Sequence, residues 1–99
     1  MATQDTSSAE PADAQEGERP RKKVVRVQTG VRLEKRMVKV LKGLAEYLDL
    51  TMGDLLEGIV LHAFAGRAPF SEETLGKIRQ LEEIYGLDLG VDDAHRLEE

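Results

Sequence analysis

Residues 24–64 read VVRVQTGVRLEKRMVKVLKGLAEYLDLTMGDLLEGIVLHAF, and the hydrophobic period changes inside this stretch. Over 24–33 it is two. Val25, Val27, Thr29, Val31 and Leu33 share one face, and Arg26, Gln28, Gly30 and Arg32 share the other. Alternation of β-branched with polar residues predicts a half-buried strand. Gly30 weakens that strand or lets another backbone come close. Over 34–49 the period lengthens. Met37, Val38, Leu41, Leu44, Ala45 and Leu48 recur at three- and four-residue spacing, which predicts an amphipathic helix. Lys35, Arg36, Lys39 and Lys42 lie on its other faces. Thr51-Met52-Gly53-Asp54 then starts a second helix. The Thr51 hydroxyl can accept a backbone N–H two or three residues on, and Asp54 can reach back as a short-armed capping box. This second helix is apolar nearly all round, through Leu55, Leu56, Ile59, Val60, Leu61, Ala63 and Phe64. Such a helix is expected to be buried on more than one side. Gly66 and Pro69 end it.

Working outward, residues 71–86 predict a third helix. Ser71 caps it, Glu72 and Glu73 suit its positive end, and Gly86 stops it. Its apolar positions are Leu75, Ile78, Leu81, Ile84 and Tyr85, regular enough to dock on the protein's own core. Residues 87–99 are acidic and carry no assignable element. Residues 1–22 form an acidic-then-basic arm. Its first 20 residues hold no large apolar side chain after Met1, so disorder is expected there.

With 99 residues and 40% apolar composition, the chain makes one small domain with a core that is thin for a monomer. Absence of cysteine excludes disulfides, thiolate zinc sites and cysteine nucleophiles. Two histidines cannot build a histidine-rich metal site unaided. His62 reads as a satisfied or partly exposed helix residue. His95 beside Asp92 and Asp93 is too weak a constellation to count as a metal site. No P-loop, nucleophile elbow or His–Glu motif occurs, and Ser71 reads only as a cap. No catalytic residue, metal or cofactor is therefore expected. No apolar run approaches the roughly 18 residues of a membrane span, and the opening MATQDTSSAE lacks the blocks of a signal peptide. The expected address is the cytoplasm of a prokaryotic cell, without a membrane partner.

The net charge of -5 conceals strong segregation. Residues 1–18 carry five acids and no base. Residues 19–42 carry ten bases against Glu34 alone, for +9. Residues 43–99 carry four bases and thirteen acids, for -9. Binding to a polyanion depends on the local field, so the basic block argues for nucleic acid where the total argues against it. A solvated basic face kept for solubility is the plainer alternative.

A lone strand leaves half its backbone groups unpaired. The chain supplies no second strand, so the expected partner is another copy across a two-fold axis. Gly58, in mid-helix, would then mark a close helix crossing at that axis, or is simply tolerated.

The strand VRVQTGVRL, the helix EKRMVKVLKGLAEYL, the turn DLT and the helix MGDLLEGIVLHAF together resemble the ribbon-helix-helix proteins of the Arc/MetJ/CopG superfamily. The resemblance covers about residues 23–66. It implies a mainly α fold with one N-terminal β-strand, an intertwined homodimer with a two-stranded antiparallel ribbon, and here an extra C-terminal helix. It also implies a sequence-specific transcriptional regulator that inserts its ribbon into the major groove of double-stranded DNA, with room for higher-order assembly on DNA. Carried over by position, Arg26, Gln28, Gly30 and Arg32 are the base-contacting residues. Thr51, Met52 and Gly53 are the phosphate clamp at a helix start. Arg21, Lys22 and Lys23 form an arm for further phosphates. Gly30 departs from the usual long polar reader. The competing reading is an antitoxin or scaffold-type module in which residues 67–99 bind a partner protein, a layout several antitoxins of this kind share.

Overall fold

A computed structural model describes residues 20–99, so most of the expected disordered arm lies outside the described residues. Three helices follow one another: α1 (Lys35–Leu48), α2 (Met52–Phe64) and α3 (Glu72–Tyr85), with a short 3-10 turn at Val91–Asp93. Each start is capped by a side chain. Glu34 accepts from the Met37 N–H at 3.0 Å, Thr51 from the Asp54 N–H at 3.1 Å, and Ser71 from the Thr74 N–H at 3.2 Å. The ends of α1 and α3 turn through left-handed residues, Asp49 (φ 62°) and Gly86 (φ 67°). The N–H groups that follow reach back to the last carbonyls, Leu50 to Ala45 at 2.9 Å and Leu87 to Glu82 at 2.8 Å.

Helix α1 is the middle of the molecule. Its Val40, Leu44 and Ala45 are buried, and Leu44 is only 2% exposed. Leu55 of α2 joins them, and Ile59, Phe70, Ile78 and Leu81 pack around this core. Helix α3 runs antiparallel to α1. Arg36 meets the Gly86 carbonyl, Lys39 lies over the Tyr85 ring, Gly43 faces Leu81, and Lys77 lies over Tyr47. The close point is Gly43, where an added Cβ would stand 2.9 Å from Leu81 Cδ2.

The expected strand is absent. Among the described residues there is no β-strand, and residues 20–33 have no regular secondary structure and are exposed throughout. The reason is pairing. A strand exists through its ladder of backbone bonds, and alternation of side chains cannot supply the second row. The described chain has no other strand to offer. The mainly α fold with one β-strand, its two-stranded antiparallel ribbon and the intertwined homodimer built on it are therefore corrected to a three-helix chain with an irregular N-terminal segment.

Two expectations that involved a second copy can be described only within one chain. Within the chain α2 buries one side: only Leu55 is fully buried, while Val60 and Leu61 are exposed and Phe64 is 82% exposed. Within one chain the surface over Gly58 is open: an added Cβ would meet nothing within 4 Å. The carbonyl of Gly58 accepts from His62 Nδ1 at 2.7 Å, one turn along the same helix. No helix among the described residues is long and apolar enough to cross a membrane.

The α1–α3 approach is open to test. Gly43→Ala gains about 1 kcal/mol of helix propensity and loses a similar amount against Leu81, so its stability stays near wild type. Gly43→Val overpacks the contact and lowers stability by about 1–3 kcal/mol in urea denaturation.

Candidate nucleic-acid interface

The basic block begins in the irregular segment. Arg21, Lys22, Lys23, Arg26, Gln28, Gly30 and Arg32 are all exposed. The segment is tied to α2 by a forked ion pair. Arg26 Nε donates to Glu57 Oε2 at 2.8 Å, and its terminal nitrogen donates to Oε1 at 2.9 Å. Hydrogen bonding, then charge, raises the Arg26 pKa above its ordinary value. The same bonds hold the Glu57 carboxyl below the usual glutamate range, against a smaller desolvation effect. Both groups stay in solvent, so the fork positions more than it stabilises. Beside it, Val24 and Val25 line an open apolar groove of about 410 Å3 together with Leu56, Val60 and Leu61.

The start of α2 stands beside this fork. Thr51 and Gly53 are exposed, Met52 is half-buried, and the space over Gly53 is open. The Thr51 hydroxyl uses the Asp54 N–H. The N–H groups of Met52 and Gly53, at the start of the helix, have no partner within it and can face an anion. The carboxylate of Asp54 adds a weaker electrostatic pull on Arg26. Asp54 and Glu57 would oppose a phosphate here, and Arg26 offsets one of them.

Arg32 and Arg36 form a second group around the start of α1. Arg32 pairs with Glu99, both well exposed. Arg36 donates through Nε to Glu34 at 2.9 Å, and through Nη1 to the Gly86 carbonyl and to Asp88 Oδ1, each at 2.9 Å. The Glu34 contact is the main cause of the raised Arg36 pKa. The reciprocal bond from Arg36 is the main cause of the lowered Glu34 pKa. Arg36 thus caps the carbonyl end of α3, where a cation is favoured.

The structure therefore sorts the sequence-derived candidates into two groups. Arg26 lies against Glu57 in the middle of α2, and Arg32 lies with the segment after α3. Gln28 and Gly30 are exposed between them. Assignment of Arg26, Gln28, Gly30 and Arg32 as one base-reading face rested on strand alternation. Without a strand that alternation no longer sorts the side chains: Val25 is 91% exposed, and Val27 and Val31 are exposed beside the arginines.

One group lies outside the site residues that the sequence pattern singles out. Lys35, Lys39 and Lys42 recur at i, i+4 and i+7, and all three are exposed along one side of α1. Their spacing is a local signal in the sequence, and helix formation is what turns it into a row.

No family model matches the chain, and no curated protein or solved structure matches it either. Likeness to the ribbon-helix-helix proteins rests on the sequence pattern alone.

A carboxyl titration followed by NMR tests the Arg26–Glu57 fork. Because the Glu57 pKa is depressed in the folded state, the pair is intact above the ordinary glutamate range. It is lost as pH falls through Glu57's own lower value. Arg26→Gln should return the Glu57 midpoint to the ordinary range, and an unmoved midpoint would show that Arg26 does not hold this carboxylate.

Proposed function

We propose that the chain is a DNA-binding regulator acting as a homodimer, in the cytoplasm of a prokaryotic cell. Residues 20–42 hold the phosphates of a duplex, and the start of α2 adds backbone donors. The observation that carries this reading is the concentration of positive charge. The nine described bases of the +9 block lie within residues 21–42, with Glu34 as the one acid among them. The irregular segment is exposed over its whole length, and Lys35, Lys39 and Lys42 continue it along α1. Phosphate binding needs no backbone ladder, so it does not depend on the strand that is missing. An irregular basic segment can follow a duplex backbone, and such contacts give affinity that falls with salt.

A homodimer is supported by the apolar surface that one chain leaves open. Val60, Leu61 and Phe64 form an exposed face on α2, while only four hydrophobic residues among those described are fully buried. The same face supports the second reading, a protein–protein module. The antitoxin form of that reading has less support, because Ile78 and Leu81 of α3 already pack on the chain's own core.

Two measurements check these statements. Duplexes enriched from a random pool and unselected duplexes are titrated at several salt concentrations. Lys22→Ala with Lys23→Ala should weaken both alike and lower the salt slope by about two per protomer. If Arg32 reads a base, Arg32→Ala costs about 1–3 kcal/mol on the enriched duplex and much less on the other. Absence of wild-type binding at low salt transfers the assignment to the protein–protein module. The dimer predicts a thermal midpoint that rises with protein concentration and falls in Phe64→Glu. A midpoint independent of concentration, with a monomeric mass in ultracentrifugation, rejects it.

A further inference from the structure

We propose that the acidic segment after α3, residues 88–99, is an internal competitor for the DNA-binding surface, so that a duplex must displace it. This inference rests on the DNA-binding reading and adds a regulatory contact to it. The segment carries Asp88, Asp92, Asp93, Glu98 and Glu99 against one base, Arg96. It begins at the Arg36 end of α3, where Asp88 Oδ1 takes a guanidinium hydrogen bond at 2.9 Å. It ends at Glu99, paired with Arg32. Both arginines belong to the +9 block, four residues apart at the entry to α1. The segment thus spans the junction between the irregular basic stretch and the lysine row of α1.

A carboxylate and a phosphate ask the same thing of a guanidinium: charge-assisted donors in a planar fork. The two cannot use the same donors at once. Exposed pairs of this kind are individually weak and screened by salt. The segment therefore acts as a filter that a polyanion overcomes. Arg36 contributes a fixed point, because its bonds to Glu34 and to the Gly86 carbonyl do not depend on Asp88. The antiparallel course of α3 fixes the place of attachment. The opposite end of α3, with Glu72 and Glu73, lies at the far end of α1 from these arginines.

The test compares two charge-matched variants on one duplex of random sequence at low salt. Asp88→Asn with Glu99→Gln removes the negative charge from both contacts. Glu72→Gln with Glu73→Gln removes the same charge far from them. The first should bind roughly three- to tenfold more tightly than wild type, the second less than twofold, and the difference should vanish as salt rises. The chain has no cysteine, so Leu97→Cys accepts a single spin label. The label should broaden amide signals around residues 30–36 in the free protein and release them when duplex is added. Equal tightening by the two variants, or broadening that persists at saturating duplex, overturns the proposal. Wild-type binding with no tightening in the first variant sinks the competitor alone. Absence of binding by every form sinks the DNA reading and the competitor with it.

Discussion

Leu81 seats where Gly43 has no side chain, and this sets how near α1 and α3 run. Everything along the antiparallel pair follows from that spacing. It brings Lys39 and Lys77 over tyrosine rings on the opposite helix. It also carries the carbonyl end of α3 to Arg36. Ring faces attract cations and helix ends attract opposite charge, so the seam is a sequence of modest contacts in register. The small buried core alone would hold α3 loosely. The polar contacts choose its direction and stagger.

Charge is distributed with the same economy. Each of Arg26, Arg32 and Arg36 stands against a carboxylate of the -9 region, namely Glu57, Glu99 and Asp88. The segregation seen along the chain is thus partly undone in space. The arginines are matched within the molecule, while Lys35, Lys39 and Lys42 present a row of ammonium groups on α1. Guanidinium groups form planar forks, and ammonium groups act as point charges, which suits the first to internal pairing and the second to a diffuse polyanion.

The helices were legible because their signals are local. Thr51 and Ser71 announce helix starts, Gly86 an end, and the three- and four-residue spacing of Leu41, Leu44, Ala45 and Leu48 a buried face. Residues 24–33 differ for the opposite reason. Their alternation is local, but a strand is a property of two segments, and no local pattern contains the second. Of the candidate site, the basic residues and the helix start at Thr51 were legible as types. Their grouping was not, because Glu57 lies 31 residues from Arg26 and Glu99 lies 67 from Arg32. Nothing in the neighbourhood of either arginine names its partner. Asp54 completes only half of the expected capping box. Its backbone N–H meets Thr51, while its charge adds to the field at Arg26.

The central place of α1 also orders the molecule in time. Its buried face is shared between α2 and α3, so its amides exchange with solvent only when both neighbours let go. Helix α2 is held at its first half, through Leu55 and Ile59, while the turn from Val60 to Phe64 stands in solvent. Within one chain that half has the fewer packing contacts, and its amides should open more readily than those of the first half. The exposed apolar turn thus stands apart from the buried side of the same helix, so one short element carries both the core and an outward face.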